Sequence, residues 1–468
     1  LSASSNLPAF PPDIRFKPGT HQPVGPPFWS RLFSGEVFRR NSADWLVENA
    51  KQYGDLVYFE SFGVKVLQFN HPDLVQEMLV RDAPHHHRNL VMQRGKMVLG
   101  EGLLTSEEPL HMRQRRLAQP AFHRQRIRAY GEAITHYTSL MTSQWTSGTV
   151  LDVHAEMLLL ALRIVGKTLF DTDVEGEVHK IAAAVDAFMG FLPIAFLPFP
   201  RLMLNLPLPA MRRIRRSRAD LDQLIYKMIR ERRADPRDRG DLLSMLLASV
   251  DSEADTTGDA ARMSDTQVRD ECLTVLLAGH ETTANALSFA LRLLADHPET
   301  QQQLFEECHR VLGDRPSTAE DYAQLTFTEQ VFAEALRLYP PVWVTARTAA
   351  VTYSYRGMIV SKGTILVAPQ FAVHRDPRFF TYPERFDPSR FAPAAKAARP
   401  RYAYFPFGGG SRQCIGEGLA WMEGVLALAT IIQHWCLSPA PGQGSPIRID
   451  PSISLRPKGT VPLLVEHR

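Results

Sequence analysis

Phe405-Pro406-Phe407-Gly408-Gly409-Gly410-Ser411-Arg412-Gln413-Cys414-Ile415-Gly416 is the stretch on which the reading of this chain turns. Three glycines precede a single cysteine and a fourth follows it. Glycine lets a backbone turn tightly and lie close against a flat cofactor, so that amide N–H groups can point at the sulfur and temper its charge. A lone thiolate pushes electron density onto iron and favours cleavage of the O–O bond, which makes Cys414 a candidate axial ligand to a haem iron. Arg412, just upstream, is placed to pair with a haem propionate. After Gly416 the apolar run through Leu419, Trp421, Val425, Leu426 and Leu428 reads as a buried helix beginning close behind the ligand. Two plainer readings compete. A lone cysteine is usually a small core hydrophobe. A glycine loop before a helix also cradles phosphate, but that use wants Gly-Lys-Ser or Gly-Lys-Thr, and neither is present in the loop.

The rest of the composition leaves room for such an enzyme and excludes other classes. At 468 residues and 44% hydrophobic the chain can bury a large core. Its 53 Lys plus Arg against 50 Asp plus Glu give a net charge of +3, far from the excess of a nucleic-acid binder. The cysteines at 272, 308, 414 and 436 form no C-x-x-C pair and no dense framework, which points to a reducing, cytoplasmic setting. No apolar run reaches the roughly 18 residues of a spanning helix, and the N-terminus lacks the order of a signal peptide. The chain starts at Leu1, so an upstream anchor is left open.

Residues 1–27 carry seven prolines and read as an extended arm on the surface. The folded body is expected from Phe28 onward. Leu56-Val57-Tyr58-Phe59 and Val64-Lys65-Val66-Leu67 read as strands of a small sheet, and Thr352–Pro369 as strands joined by turns at Arg356-Gly357 and Lys362-Gly363. Helix dominates elsewhere. Residues 231–262 and 392–401 look like surface connections. The very apolar stretch from Phe188 to Pro209 holds five prolines, so it reads as a lid, a shallow membrane contact or a core-facing loop, and not as a membrane helix.

A helical pattern runs from about Asp265 to Asp296, capped by Ser264 with Gln267 three residues on. Ala278-Gly279-His280-Glu281-Thr282-Thr283 sits at its middle. Gly279 costs about 1 kcal/mol relative to Ala, and the Thr282 hydroxyl can compete for the Ala278 carbonyl, so a local opening of the helix is expected there. Glu334 and Arg337 share a helix face, as do His111 and Arg115. Each pair alone is weak, because such pairs decorate many solvated helices. His85-His86-His87 invites a metal reading, but consecutive residues point in different directions and no further His or Cys cluster completes a site.

The pattern F-x-x-G-x-R-x-C-x-G, carried by Phe407, Gly410, Arg412, Cys414 and Gly416, resembles the haem-binding signature of the cytochrome P-450 family, and most closely its soluble bacterial members. The resemblance implies a mainly α fold with minor β sheets, one large domain over 28–468, and heme b (iron protoporphyrin IX) as cofactor. It implies Cys414 as the proximal ligand, with Phe407 packed near its sulfur. The hexapeptide 278–283 is similar to the family's oxygen-activation motif, which implies that Glu281 relays protons, that Thr282 hydrogen-bonds the oxygen being activated, and that Ala278 lies at the cofactor. Pro383-Glu384-Arg385-Phe386 and Phe391 resemble the meander motif, implying a buried network of Glu334, Arg337 and Arg385 that holds the cysteine loop. His111 and Arg115 stand where many members have W-x-x-x-R, so with Arg347 and Arg412 they are implied propionate partners; His111 departs from the pattern. Candidate substrate-lining residues are Leu103, Leu104, Phe188, Phe191, Leu277 and Val342-Trp343-Val344-Thr345.

The expected reaction inserts one atom of dioxygen into a C–H or C=C bond of a lipophilic small molecule of the fatty acid, terpenoid or steroid class. Electrons are expected from a separate donor, a ferredoxin with its NAD(P)H-dependent reductase, since no flavin or iron–sulfur domain follows Arg468. Arg113, Arg116, Arg124, Arg126 and Arg128 offer a basic face to an acidic donor, or a merely solvated one. No nucleic-acid partner is expected, and the chain reads as a monomer. A peroxide-driven peroxygenase or haem-thiolate isomerase, or a non-enzymatic haem sensor, would not need the Glu281-Thr282 pair.

Overall fold

The computed structural model describes residues 10, 13–17, 23–26, 42–61, 63–171, 181, 199–250, 262–442 and 447–468. Phe188 and Phe191, and most of the arm 1–27, lie outside the described residues. The chain falls into two compact units, one built from 1–90, 337–386 and 390–414, the other from 91–336, 387–389 and 415–468.

The first unit is organised by a five-stranded sheet. Its order is Leu56–Ser61, Val64–Phe69, Ile365–Ala368, Thr345–Ala349, His86–Arg88. The first two segments are strands, as expected, and they pair as an antiparallel hairpin, in register from Leu56↔Phe69 to Ser61↔Val64. The Val64–Phe69 strand then pairs in parallel with Ile365–Ala368, while the Thr345–Ala349 strand pairs antiparallel on both of its edges. Between Thr352 and Pro369 the turns fall where Arg356-Gly357 and Lys362-Gly363 place them. Arg356 adopts φ 47° and Gly357 φ 82°, the left-handed pair that a tight hairpin needs between Tyr353–Tyr355 and Met358–Val360. The Arg356 side chain is held there by Glu77, with Nε donating to Oε2 at 3.0 Å. The described part of the arm is docked and not free: Ile14 is buried, the Arg15 N–H donates to the Asp55 carboxylate Oδ2, and the Asp55 N–H donates to the Arg15 carbonyl, at 2.8 Å each.

The second unit is mainly helical. Its longest element, Asp265–Asp296, starts with the capping box read from the sequence: the Ser264 hydroxyl accepts from the Gln267 N–H at 3.2 Å, and the Gln267 side chain accepts from the Ser264 N–H at 3.0 Å. This helix packs along Val153–Phe170. Glu417–His434, the apolar helix expected after Gly416, packs on Arg124–Thr142 and Pro298–Leu312, and its Gly424 admits the Phe332 ring so closely that any side chain there would collide. A three-stranded antiparallel sheet, Thr149–Asp152, Pro462–His467 and Trp435–Pro439, and a hairpin of Ile449–Pro451 with Leu455–Pro457 complete it. Residues 209–234 are one helix, so the charged stretch read as connection from 231 begins as its last turn. Residues 393–398 form a short exposed helix. Among the described residues no helix is long and apolar enough to cross a membrane.

Candidate active site

In the first unit the cysteine loop is closed by its own backbone. The Cys414 N–H donates to the Phe407 carbonyl at 3.0 Å and the Gly408 N–H to the Phe405 carbonyl at 2.9 Å. Gly408 and Gly410 take φ of 72° and 70°, where an L side chain is strained, and a Cβ on Gly409 would sit 2.6 Å from the Tyr402 ring. The three glycines are thus required by the turn and by the neighbouring ring. The product of this folding is a cysteine whose side chain is exposed. Cys272 and Cys308 are buried, and burial raises both thiols, that of Cys308 to about 12, so they stay protonated. Cys436 is half-buried, which leaves Cys414 as the exposed cysteine.

What holds the loop is a buried histidine that the sequence did not reveal. The Phe405 N–H donates to His374 Nε2 at 3.0 Å, and the His374 carbonyl accepts from Arg337 Nη1 at 2.9 Å. His374 is wholly buried; burial, with Arg337 and Arg375 nearby, drives its pKa far down, so the ring is neutral with its proton on Nδ1 and Nε2 can accept. Arg337 also donates to the carbonyls of Pro383 at 2.7 Å and Arg385 at 3.2 Å. Glu334, equally buried, accepts from the Asp387 N–H at 2.9 Å. Glu334 and Arg337 are buried, but the expectation for Arg385 is corrected: its side chain is exposed, and that residue meets Arg337 through its carbonyl. The more buried arginine of this stretch is Arg390, with Nη2 on the Tyr382 carbonyl at 3.0 Å. The segment carries two Arg-Phe pairs, 385–386 and 390–391, and residue type alone does not distinguish them.

Positive charge is gathered on the sheet. Arg347 lies directly across from Arg88 in the antiparallel register, so two guanidiniums share one face. Like charges in that position repel, and an anion on that face removes the cost. His86 is pushed down to about 4 by burial and is occupied by Tyr353 Oη at 2.9 Å and the Met78 carbonyl at 3.2 Å. Among the described residues no three His, Cys, Asp or Glu side chains are grouped to hold a metal ion. Arg412 and Phe407 are half-buried in the loop, as are Thr345 on the sheet and Val344 just before it; Trp343 is buried and Val342 exposed. The Thr345 hydroxyl accepts from Gln370 at 2.7 Å.

In the second unit the long helix is buried from Val268 to Leu276 and from Thr283 to Ala295, but between these runs Ala278 is exposed and Leu277, Gly279, Glu281 and Thr282 are half-buried. The Thr282 hydroxyl donates to the Ala278 carbonyl at 2.6 Å, as expected, yet the helix runs unbroken. Gly279 is explained by packing: a Cβ there would lie 3.1 Å from Val165. His280 points the other way, with Nε2 on the Leu158 carbonyl at 2.9 Å, and burial pushes it down to about 4. Glu281 is tied at Oε1 by the Ser454 hydroxyl at 2.7 Å, a residue missed from sequence because it lies in a distant hairpin.

The same helix also fixes the segment that carries Leu103 and Leu104. Asp270 accepts from the Glu101 N–H at 2.7 Å and Glu271 from the Leu103 N–H at 3.0 Å. Gly102 has no room for a Cβ beside the Thr274 hydroxyl. Glu271 is fully buried, and burial raises it to about 8, so it is protonated at neutral pH. Leu103 is buried and Leu104 half-buried. His111 is buried on the helix Leu110–Ala118 with Nδ1 on Glu108 Oε1 at 2.8 Å, and Arg115 lies half-buried one turn on. Of the basic face, Arg126 is paired with Asp238 at 2.6 Å and Arg128 with Glu320 at 3.0 Å; Arg116, Arg124 and Arg128 are exposed.

The donor set fits the group the sequence implies. The first unit offers an exposed cysteine on a loop whose glycines allow its turn, and guanidiniums at 88, 347 and 412 of the kind that pair with carboxylates; the second unit, taken by itself, offers Arg115 and an uncovered stretch of helix bearing an acid and a hydroxyl. Comparison with known proteins agrees. The family profile described as Cytochrome P450 matches residues 21–464. The chain is 39% identical over 411 residues to "Cyclooctatin synthase" of Streptomyces melanosporofaciens, covering 86% of this chain and 87% of that one. It is 35% identical over 391 residues to "Pentalenene oxygenase" of Streptomyces avermitilis, covering 83% and 85%. A solved structure, the haem domain of cytochrome P450DA, superposes with a TM-score of 0.82 at 27% identity over 95% of this chain and 97% of that one.

Proposed function

The chain belongs to the cytochrome P450 family and is a haem-iron monooxygenase, and from that premise we propose that Cys414 is the axial thiolate of heme b and that the substrate is a terpenoid-class lipophile. One observation carries the first part: Cys414 is the exposed cysteine, delivered at the end of a loop whose three glycines admit no side chain without strain or collision. The substrate class rests on the relatives, which are named for terpenoid oxidations, and on the apolar candidates Leu103, Leu104, Leu277, Val342 and Trp343.

Thiolate-bound haem supplies dioxygen binding and O–O cleavage. The chain's residues do the rest. His111, Arg115, Arg347 and Arg412, joined by Arg88, would hold the propionates. Arg337 and His374 keep the loop, and hence the sulfur, in one place. Glu281 would deliver protons, and the Thr282 hydroxyl oxygen, its own proton held by the Ala278 carbonyl, would accept a hydrogen bond at the oxygen site, so that one atom enters the substrate and the other leaves as water. Two electrons and two protons complete the balance. We assign their delivery to a separate donor of the ferredoxin type with an NAD(P)H-dependent reductase, meeting the exposed Arg116 and Arg124.

The test pairs a spectrum with turnover. Wild type, reduced and exposed to carbon monoxide, is expected to show the red-shifted band of thiolate-ligated haem and to oxygenate a terpenoid hydrocarbon with a ferredoxin system, with far less product from peroxide alone. Cys414→Ser and Cys414→His should lose band and oxygenation together. Retention of the band in either variant would remove Cys414 from the iron.

A further inference from the structure

We propose that Ser454 is a positioning residue for the proton chemistry of Glu281, holding its carboxylate through a one-way hydrogen-bond chain that begins at Asn285. The inference rests on the reading of Glu281 as proton donor. Ser454 lies in the turn between the strands Ile449–Pro451 and Leu455–Pro457, and is buried at 3% exposure. The turn is fixed from within: the Ser452 N–H donates to the carbonyls of Asp450 and Ser454 at 3.1 Å each, and Arg456 pairs across the hairpin with Asp450 at 3.0 Å. The hairpin packs on the long helix. There the Asn285 amide Nδ2 donates to Ser454 Oγ at 3.1 Å, and Ser454 Oγ donates to Glu281 Oε1 at 2.7 Å.

Donor chemistry sets the direction. An amide NH2 only donates, so Ser454 must accept from Asn285, and its single proton is then left for Glu281. Asn285 is one helical turn beyond Glu281 and fully buried. Among the described residues its Oδ1 accepts no hydrogen bond, while its Nδ2 is directed at Ser454. An unsatisfied buried carbonyl is unfavourable, and this one accompanies a defined orientation of the hydroxyl. The chain is also not a proton wire. An amide does not surrender a proton at neutral pH, so nothing is relayed to Glu281 from this side. What Ser454 supplies is aim: one carboxylate oxygen is pinned toward the hairpin, on the helix turn whose next residue is Thr282.

The hydroxyl is isolated by Ser454→Ala and by the pair Ser454→Thr and Ser454→Val, which share a shape and differ in the donor. Crystal structures of the haem-loaded proteins report the Glu281 side chain, and turnover in H2O and D2O reports the proton step. A donated bond to a carboxylate is lost in Ala and Val, so coupling of electrons to product should fall on the order of tenfold. The solvent isotope effect should rise at least about twofold as proton delivery becomes limiting, and Glu281 should leave its wild-type rotamer. Thr should behave as wild type in all three. If Ala leaves too little folded protein, the Thr and Val pair decides alone. Glu281 unmoved in Val, with coupling and isotope effect equal to those of Thr, would overturn the proposal. Glu281→Gln separates the failures: if it alters both readouts while the Ser454 variants alter neither, Ser454 is not a positioning residue and the role of Glu281 stands. If Glu281→Gln is itself silent, the proton-donor reading falls and the proposal with it.

Discussion

Glu423 gives a stability prediction whose size follows from where it sits. It lies on the Glu417–His434 helix that starts directly after the cysteine loop, at 2% exposure, with burial alone raising its carboxyl from 4.5 to about 8. In the unfolded chain this group is ionised above pH 5; in the folded chain it keeps its proton up to about 8. Folding therefore takes up a proton, the unfolded state binds fewer, and stability falls as pH rises through that window before levelling off. Each pH unit is worth about 1.4 kcal/mol, so between pH 5.5 and 7.5 the group removes about 2.7 kcal/mol. Glu423→Gln keeps the shape and abolishes the titration. Urea unfolding followed by far-UV circular dichroism at pH 5.5, 6.5 and 7.5 should show the variant gaining on wild type by about that amount across the range. Glu271 carries a similar shift, but it is present in both proteins and cancels in the difference. Parallel stability curves, with a constant gap between variant and wild type, would refute the argument.

Thr282→Ala should retain substrate binding, read as the shift of the haem band on addition of a lipophile, while most of the electrons consumed no longer appear in product. Arg337→Ala leaves three carbonyls without their donor and should destabilise the fold by roughly 3–5 kcal/mol in chemical unfolding; Arg385→Ala, removing an exposed side chain, should stay within about 0.5 kcal/mol. Arg88→Ala and Arg347→Ala should each speed transfer of haem to an apo-acceptor protein, and the double variant should lose haem fastest.

The features legible in the sequence were those written in short spacings. The Ser264–Gln267 capping box, the turns at Arg356-Gly357 and Lys362-Gly363 with their positive-φ glycines, the glycine loop before Cys414 and the helix after it all depend on residues within a few positions of one another. What was not legible depends on pairing between distant segments. Arg88 follows three histidines and gives no signal until strand register sets it across from Arg347. His374 and Ser454 act through hydrogen bonds to residues 31 and 173 positions away. Arg385 and Arg390 are separated by burial, which local sequence does not encode. The opening expected at Gly279 came from propensity, and Val165 against the helix gives that glycine a different purpose.

The long helix joins these strands of reasoning. A helix buried along most of its length is costly wherever it carries ionisable groups, yet Asp270, Glu271 and Glu281 all lie on this one. Each is matched to a donor on another segment: Asp270 and Glu271 to the N–H groups that fix the Leu103-bearing loop, Glu281 to Ser454. Apolar residues at 270 and 271 would pack as well and would leave those two N–H groups, and the loop's position, unspecified. The acids before the uncovered stretch therefore serve placement of the loop, and the acid within it is the one proposed to serve chemistry. Mutating the first kind should alter which lipophile binds, while mutating the second should alter what becomes of the electrons.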